Sequence, residues 1–156
     1  MELAHDKGIS VEGEIGFVGY AEGEVSATTD PEEAALFAKE TGIDAMAISV
    51  GNVHLQLDSE TELDEQVIKE IQSLTDTPLV IHGGSGVPVS QRAKLAASTN
   101  ICKYNIGTEL RSLFGSELRG LLDQNPEIFD RVQILSSVES GLIEGARSVL
   151  RSLSNG

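Results

Sequence analysis

The stretch Leu79-Val80-Ile81-His82-Gly83-Gly84-Ser85-Gly86-Val87-Pro88 decides how the rest of the chain is read. Its apolar opening, Leu79 to Ile81, follows Pro78, is too short for a helix, and suits a strand covered on both faces. His82 stands where that strand ends. The segment His82 to Gly86 then predicts a loop stripped of bulky side chains, so that backbone N–H groups can close on an anion. A glycine-rich turn with a hydrogen-bonded histidine fits the same residues.

The same unit recurs on either side. Ile43 to Val50 is a near-continuously apolar strand, as parallel strands buried on both faces tend to be, and it runs into Gly51-Asn52-Val53-His54. Ile9 to Gly16 predicts a shorter strand with Glu14 near its C-terminal end, and Ile101 to Ile106 a further one closing on Asn105-Ile106-Gly107-Thr108. Helices fill the intervals. Asp30 as N-cap, Pro31 at the first position and Glu32 and Glu33 in the first turn start one that Gly42 ends. Leu63, Val67, Ile68, Ile71 and Leu74 mark a second over Glu62 to Leu74. Ser90 is read as the cap of a third running to Ala97, Glu109 to Leu122 as a fourth, and Ser137 to Leu153 as the last. Met1 to Gly8 reads as the closing turns of a helix with no capping signal ahead of it, the expected look of a piece of something longer.

Strands alternating with helices predict right-handed parallel crossovers, which an open doubly wound sheet or half of a (β/α)8 barrel can both supply. The polar residues choose between them. Glu14, His54, His82 and Asn105 each fall at the C-terminal end of a different strand, where barrel enzymes assemble their sites, whereas an open sheet gathers its site at one switch point. The expectation is an α/β fold of the TIM (β/α)8 family, here a C-terminal half-barrel of four parallel strands in a single domain over residues 1–156. A chain of 156 residues suits one domain and is too short for a complete barrel.

Eleven basic against twenty-five acidic residues, a net charge of −14, argue against nucleic acid or an anionic membrane as partner, since both reward clustered Lys and Arg. A small anion held by local backbone dipoles remains open. Cys102 is the sole cysteine, so no internal disulfide and no cysteine-based zinc motif can form. With no long apolar run and no basic leader, a cytoplasmic location is expected.

His54 and His82, from adjacent strand ends, can converge on one cation, and two neutral imidazoles suit Zn2+ or a related metal without closing its shell. Two hydrogen-bonded histidines at a barrel rim are the plainer alternative. Glu14 can add a carboxylate ligand or orient a histidine, or can be a surface carboxylate. Gly83, Gly84 and Ser85, together with Asn105, Gly107 and Thr108 where the next helix begins, can cradle a dianionic phosphate. For Asn105 and Thr108, simple capping of that helix is an equal reading. A metal beside a phosphate suits polarising a carbonyl and stabilising the enediolate left when a proton is removed.

The segments VEGEIG (Val11 to Gly16), TDPEEAALFAKETGIDAMAISVGNVH (Thr29 to His54), PLVIHGGSG (Pro78 to Gly86) and KYNIGTELR (Lys103 to Arg111) resemble, in order and spacing, the class II metal-dependent ketose-bisphosphate aldolases. The resemblance implies zinc-dependent cleavage of a ketose bisphosphate, such as fructose or tagatose 1,6-bisphosphate, to dihydroxyacetone phosphate and glyceraldehyde 3-phosphate, a step of carbohydrate metabolism such as glycolysis. It assigns His54 and His82 to the metal, with Glu14 near it. Gly83, Gly84, Ser85 and the loop Asn105, Ile106, Gly107 and Thr108 fall to the phosphate, and Asn105 also to the substrate oxygens at the metal. It implies a monovalent cation near the phosphate as well; separately, a half-barrel leaves two strands unpaired, so a homo-oligomer or completion by the other half of the barrel is expected.

Three departures stand out. Leu55 replaces the glycine that usually follows the first histidine, and the acidic glycine-rich loop is shortened to Tyr20 to Ser26. The family's third metal histidine and its acid/base aspartate belong to the first half of the barrel, and His5 and Asp6, at a helix end, do not stand in for them. The isolated chain is therefore expected to be inactive or nearly so. The competing expectations are a non-catalytic half-barrel that binds a sugar phosphate or assembles with a partner, and a phosphate-binding barrel enzyme without metal.

Overall fold

The computed structural model describes residues 1–19, 27–54 and 61–154. Leu55 and the segment Tyr20 to Ser26 lie outside the described residues. A short helix α1 (Glu2–His5) precedes β1 (Glu12–Glu14), α2 (Pro31–Thr41), β2 (Ala45–Ile48), α3 (Glu65–Leu74), β3 (Leu79–Ile81), α4 (Val89–Ser98), β4 (Ile101–Tyr104), α5 (Thr108–Gln124) and α6 (Arg131–Ser154). The four strands form one parallel sheet in the order β1-β2-β3-β4. That order is the sequence order, with no reversal and hence no switch point of the doubly wound kind. Four parallel strands alternating with helices are half of a (β/α)8 barrel.

Strand alternation sorts the side chains into two faces. Met46, Ile48, Leu79 and Ile81 join Ala34, Ala38, Ile68, Ile71 and Leu95 in the core between sheet and helices. Gly13 faces the same way, since a Cβ there would meet Ile43 at 3.0 Å and Phe37 at 3.1 Å. Glu12 and Glu14 therefore share the opposite face with their register partners Ala45 and Ala47, beyond which comes Val80. On that face Lys103 Nζ of β4 lies 2.6 Å from Glu12 Oε2 of β1. Three interstrand steps would set those strands about 14 Å apart on a flat sheet, with their side chains standing parallel. The ion pair forms only because the sheet is curled, with the acidic pair on its concave side.

The helices form where their caps and apolar faces say they should. Asp30 Oδ1 accepts from the Glu32 and Glu33 amides at 3.0 Å, and Gly42, with φ of 65°, closes α2 in the left-handed conformation. Asp64 caps α3 in the same way, two residues beyond the expected start at Glu62. Three other boundaries differ from expectation. Pro88, not Ser90, occupies the cap position of α4, because a 3-10 turn over Gly84–Gly86 delivers the chain straight into the helix. β1 spans only Glu12–Glu14, since Ile9 and Ser10 precede the pairing with β2. α6 starts at Arg131 rather than Ser137; Asp130 Oδ1 accepts from the Gln133 amide at 2.8 Å and supplies the cap. Among the described residues no helix is long and apolar enough to cross a membrane. Cys102, on β4, is an exposed free thiol.

Candidate active site

His54 follows β2 and His82 follows β3, and two features of the chain, one of backbone and one of side chain, hold their loops together. The first is Gly83, at φ of 65°, whose added Cβ would lie 2.3 Å from the Val53 carbonyl oxygen. Only glycine adopts that conformation cheaply and leaves room for that carbonyl. The second is Asn52, fully buried. Its Nδ2 donates to the His82 carbonyl at 2.9 Å and the Ile48 carbonyl at 3.3 Å, while its Oδ1 accepts from the Val50 amide at 2.8 Å. As a result the imidazole centres of His54 and His82 lie 6.1 Å apart, with their planes tilted by 41°. A zinc–imidazole bond of about 2.0–2.1 Å puts each ring centre roughly 3.2 Å from a shared ion, so this spacing is within one ion's reach.

Carboxylates hold His82 from the β1 side. Nε2 is 3.0 Å from Glu12 Oε1, and Nδ1 is 3.6 Å from Glu14 Oε2. Glu12 thus bridges His82 and Lys103. Burial alone would raise the Glu12 carboxyl, but hydrogen bonds with Lys103 and His82, and their charges, hold it below its ordinary 4.5. Burial, followed by the neighbouring His82, pushes the His54 imidazole down from 6.5, with Glu14 pulling in the opposite sense. That shift favours the neutral ring, the form in which an imidazole nitrogen can donate to a metal.

A depressed carboxylate stabilises the fold fully above its unfolded value and loses that contribution as pH falls through the folded one. For Glu12 the window lies below about 4.5. Lys103→Met is expected to flatten the pH dependence of the melting temperature in that window, relative to wild type. Parallel melting curves from pH 3 to 6 check this.

The second half of the site is built where β3 and β4 end. The Gly84 amide donates to the Asn105 carbonyl at 3.1 Å and the Asn105 amide to the Ile81 carbonyl at 2.9 Å, so the two loops are sewn together by backbone alone. The Gly84 amide is thereby committed to the protein. Ser85 Oγ instead accepts from the amides of Gly107 and Glu109, each at 3.2 Å, across the N-terminus of α5. Gly107 itself occupies the cap position and the side chain that holds the first turn is Ser85, reaching across from the preceding loop, so neither Asn105 nor Thr108 is a cap here. What converges is a serine hydroxyl that takes up two amide donors at the positive end of a helix of seventeen residues.

Of the residues singled out from sequence, the fold brings Glu14, His54 and His82 to one cluster, and Gly84, Ser85, Asn105 and Gly107 to the adjoining one. Among the described residues, no three His, Cys, Asp or Glu side chains gather into a set able to hold an ion. The two imidazoles fit a metal as part of a donor set. Sequence reasoning passed over Glu12, Lys103 and Asn52. Strand alternation was a usable signal for Glu12, two residues before Glu14 and hence on the same face.

The family model for class II fructose-bisphosphate aldolase matches residues 1–155. A fructose-bisphosphate aldolase of Geobacillus stearothermophilus is 38% identical over 139 residues, covering 86% of this chain and 48% of that protein. The crystal structure of the YdjI aldolase of Escherichia coli K12 superposes with a TM-score of 0.69 at 29% identity, over 99% of this chain and 49% of that one. A fructose-bisphosphate aldolase from Campylobacter jejuni matches in fold with a TM-score of 0.74 at 24% identity, over 97% of this chain and 53% of its own. The chain spans about half the length of the relatives it matches. With a curled four-stranded sheet, paired strand-end histidines and a match along nearly its whole length, this chain belongs to the class II fructose-bisphosphate aldolase family.

Proposed function

We propose that this chain supplies two metal ligands and the phosphate cradle of a zinc-dependent aldolase that cleaves a ketose 1,6-bisphosphate, fructose or tagatose, to dihydroxyacetone phosphate and glyceraldehyde 3-phosphate. The observation that carries the reading is the pair of imidazoles 6.1 Å apart, one loop away from the α5 N-terminus on which the Ser85 hydroxyl sits. His54 and His82 would hold the ion, with Glu14 beside it, and the bound cation would supply Lewis-acid polarisation of the substrate carbonyl. The chain's own residues do the rest. Glu12 holds the His82 ring in orientation. Gly83, Gly84, Ser85, Ile106, Gly107 and Thr108 frame the phosphate, which would anchor the substrate while its C3–C4 bond is cleaved. Asn105 hydrogen-bonds the oxygens of the enediolate left when that bond breaks.

The set is closed by a third ligand and an acid/base group from further βα units. We infer that those units pair with the free edges of β1 and β4 and cover the face bearing Glu12, Glu14 and Lys103. Residues 1–156 act as one unit within that assembly, which is cytoplasmic and handles neither nucleic acid nor membrane. A monovalent cation beside the phosphate belongs to the same reading.

Cobalt(II) titration of the chain, followed by visible absorption, tests the metal assignment. We expect one weak site per chain that His54→Ala and His82→Ala each weaken by at least tenfold. Equal binding in both variants would refute it. Because no three His, Cys, Asp or Glu side chains gather into a set able to hold an ion among the described residues, a second reading is a half-barrel that binds sugar phosphate without turnover. Dihydroxyacetone phosphate that binds, with no cleavage of fructose 1,6-bisphosphate after metal loading and reconstitution with the remaining units, would select it.

A further inference from the structure

Lys103 of β4 reaches across the concave face of the sheet to Glu12 of β1, on the other edge strand, with 2.6 Å between Nζ and Oε2. The second oxygen of that carboxylate, Oε1, stands 3.0 Å from His82 Nε2. The lysine side chain is about half exposed, and an ion pair so open to water adds little to stability. What the pair does fix is the state of the histidine behind it.

An ammonium group can only donate, so it holds Glu12 Oε2 as an acceptor and the group as a carboxylate with no proton to offer its other neighbour. The hydrogen bond between Glu12 Oε1 and His82 Nε2 is then closed by a proton on the ring. A neutral imidazole has one such proton to place. With that proton on Nε2, Nδ1 keeps its lone pair. Nothing among the described residues competes for it, since Glu14 Oε2, at 3.6 Å, is beyond hydrogen-bonding reach. Nδ1 thus lies on the side of Glu14, the carboxylate that the family resemblance sets near the ion.

We propose that Lys103 is a positioning residue for the metal: acting through Glu12, it keeps the His82 proton on Nε2 and so presents Nδ1 to the ion. The inference rests on reading His82 as a metal ligand. It adds which nitrogen binds, and that the choice is made from the far edge of the sheet by a lysine that acts on the ring only through Glu12.

The decisive variant is Glu12→Gln. Lys103 still demands an acceptor, so the glutamine turns its carbonyl oxygen to the lysine and its amide N–H to the ring. Nε2 must then accept, and the ring proton moves to Nδ1. Ring-nitrogen shifts of the full chain, isotopically labelled at histidine and recorded well above the ordinary histidine value of about 6.5, read this directly. Wild type is expected to hold the His82 proton on Nε2 and to meet added zinc through Nδ1, and Glu12→Gln to hold the proton on Nδ1. Cobalt(II) affinity, followed by visible absorption, is expected to fall about tenfold or more in Glu12→Gln and about threefold in Lys103→Met, with Lys103→Arg restoring most of it. Lys103→Met, at a half-exposed position, carries the test should Glu12→Gln not fold, and its His82 ring should show both tautomers. A wild-type ring that carries its proton on Nδ1 or meets zinc through Nε2 would overturn the role of Lys103 and leave the histidines as ligands, as would a tautomer and a cobalt affinity that ignore both substitutions. A wild-type chain in which neither metal moves the His82 nitrogens would remove the two readings together.

Discussion

Gly83→Ala is expected to destabilise the fold by about 3 kcal/mol and to separate the two histidines, an effect larger than its single methyl suggests. Two costs add. At φ of 65° an alanine is strained by roughly 1–2 kcal/mol before any contact is counted. Its Cβ would also sit 2.3 Å from the Val53 carbonyl oxygen and 2.8 Å from the Val53 carbonyl carbon. Both are backbone atoms, so no rotamer change relieves the overlap. One of the two loops has to move, and moving either breaks the hydrogen bond from Asn52 to the His82 carbonyl. Urea denaturation should show a lower midpoint at unchanged slope. Ring-proton shifts of His54 and His82 should lose their mutual influence. Gly84→Ala is the informative control: its Cβ meets the end of the flexible Ile106 side chain at 3.0 Å, with Tyr104 at 3.3 Å, so a smaller loss is expected.

The glycine requirement was visible in the sequence as a motif but not as geometry. The order of elements, the strand ends bearing Glu14, His54, His82 and Asn105, and the caps at Asp30 and Gly42 were legible because each rests on local rules: period-two alternation, capping chemistry and short apolar runs. What escaped was non-local. Lys103 meets Glu12 across two intervening strands, which only the curl of the sheet allows. Arg92, buried on α4, would ordinarily be taken for a solvated residue, and its partner Glu109 lies seventeen positions on in another helix. The Ser85 hydroxyl accepts from two amides at the start of the next helix, a contact between loops that no sequence window contains. The start of α6 at Arg131 was missed for a different reason. Asn125-Pro126 reads as a break, and the acid that restarts the helix, Asp130, follows it closely enough to be absorbed into the loop.

Asn52→Asp is expected to be nearly as damaging at neutral pH as Gly83→Ala, and to be damaging in a way that pH reverses. The substitution is isosteric, so packing is preserved and only the donor half of the amide is lost. The oxygen that accepts from the Val50 amide at 2.8 Å remains. The group that donated to the carbonyls of Ile48 and His82 becomes a second oxygen facing two oxygens, at a residue with no exposure to solvent. Leaving two buried acceptors unpaired against a desolvated carboxylate costs on the order of 3 kcal/mol. The protonated acid can donate to one of those carbonyls, so the folded state raises the new carboxyl above its unfolded value of about 3.9. A group raised in this way favours the fold below its unfolded pKa and loses that advantage as pH climbs through the folded one. The variant should therefore gain stability relative to wild type as pH falls from 7 towards 5, the range in which the wild-type Glu12 carboxylate still contributes in full. Thermal melts of both proteins across that range measure the difference. A gap that stays constant with pH would mean that water or a loop shift satisfies the carboxylate, and that Asn52 does not clamp the two histidine loops as its hydrogen bonds imply.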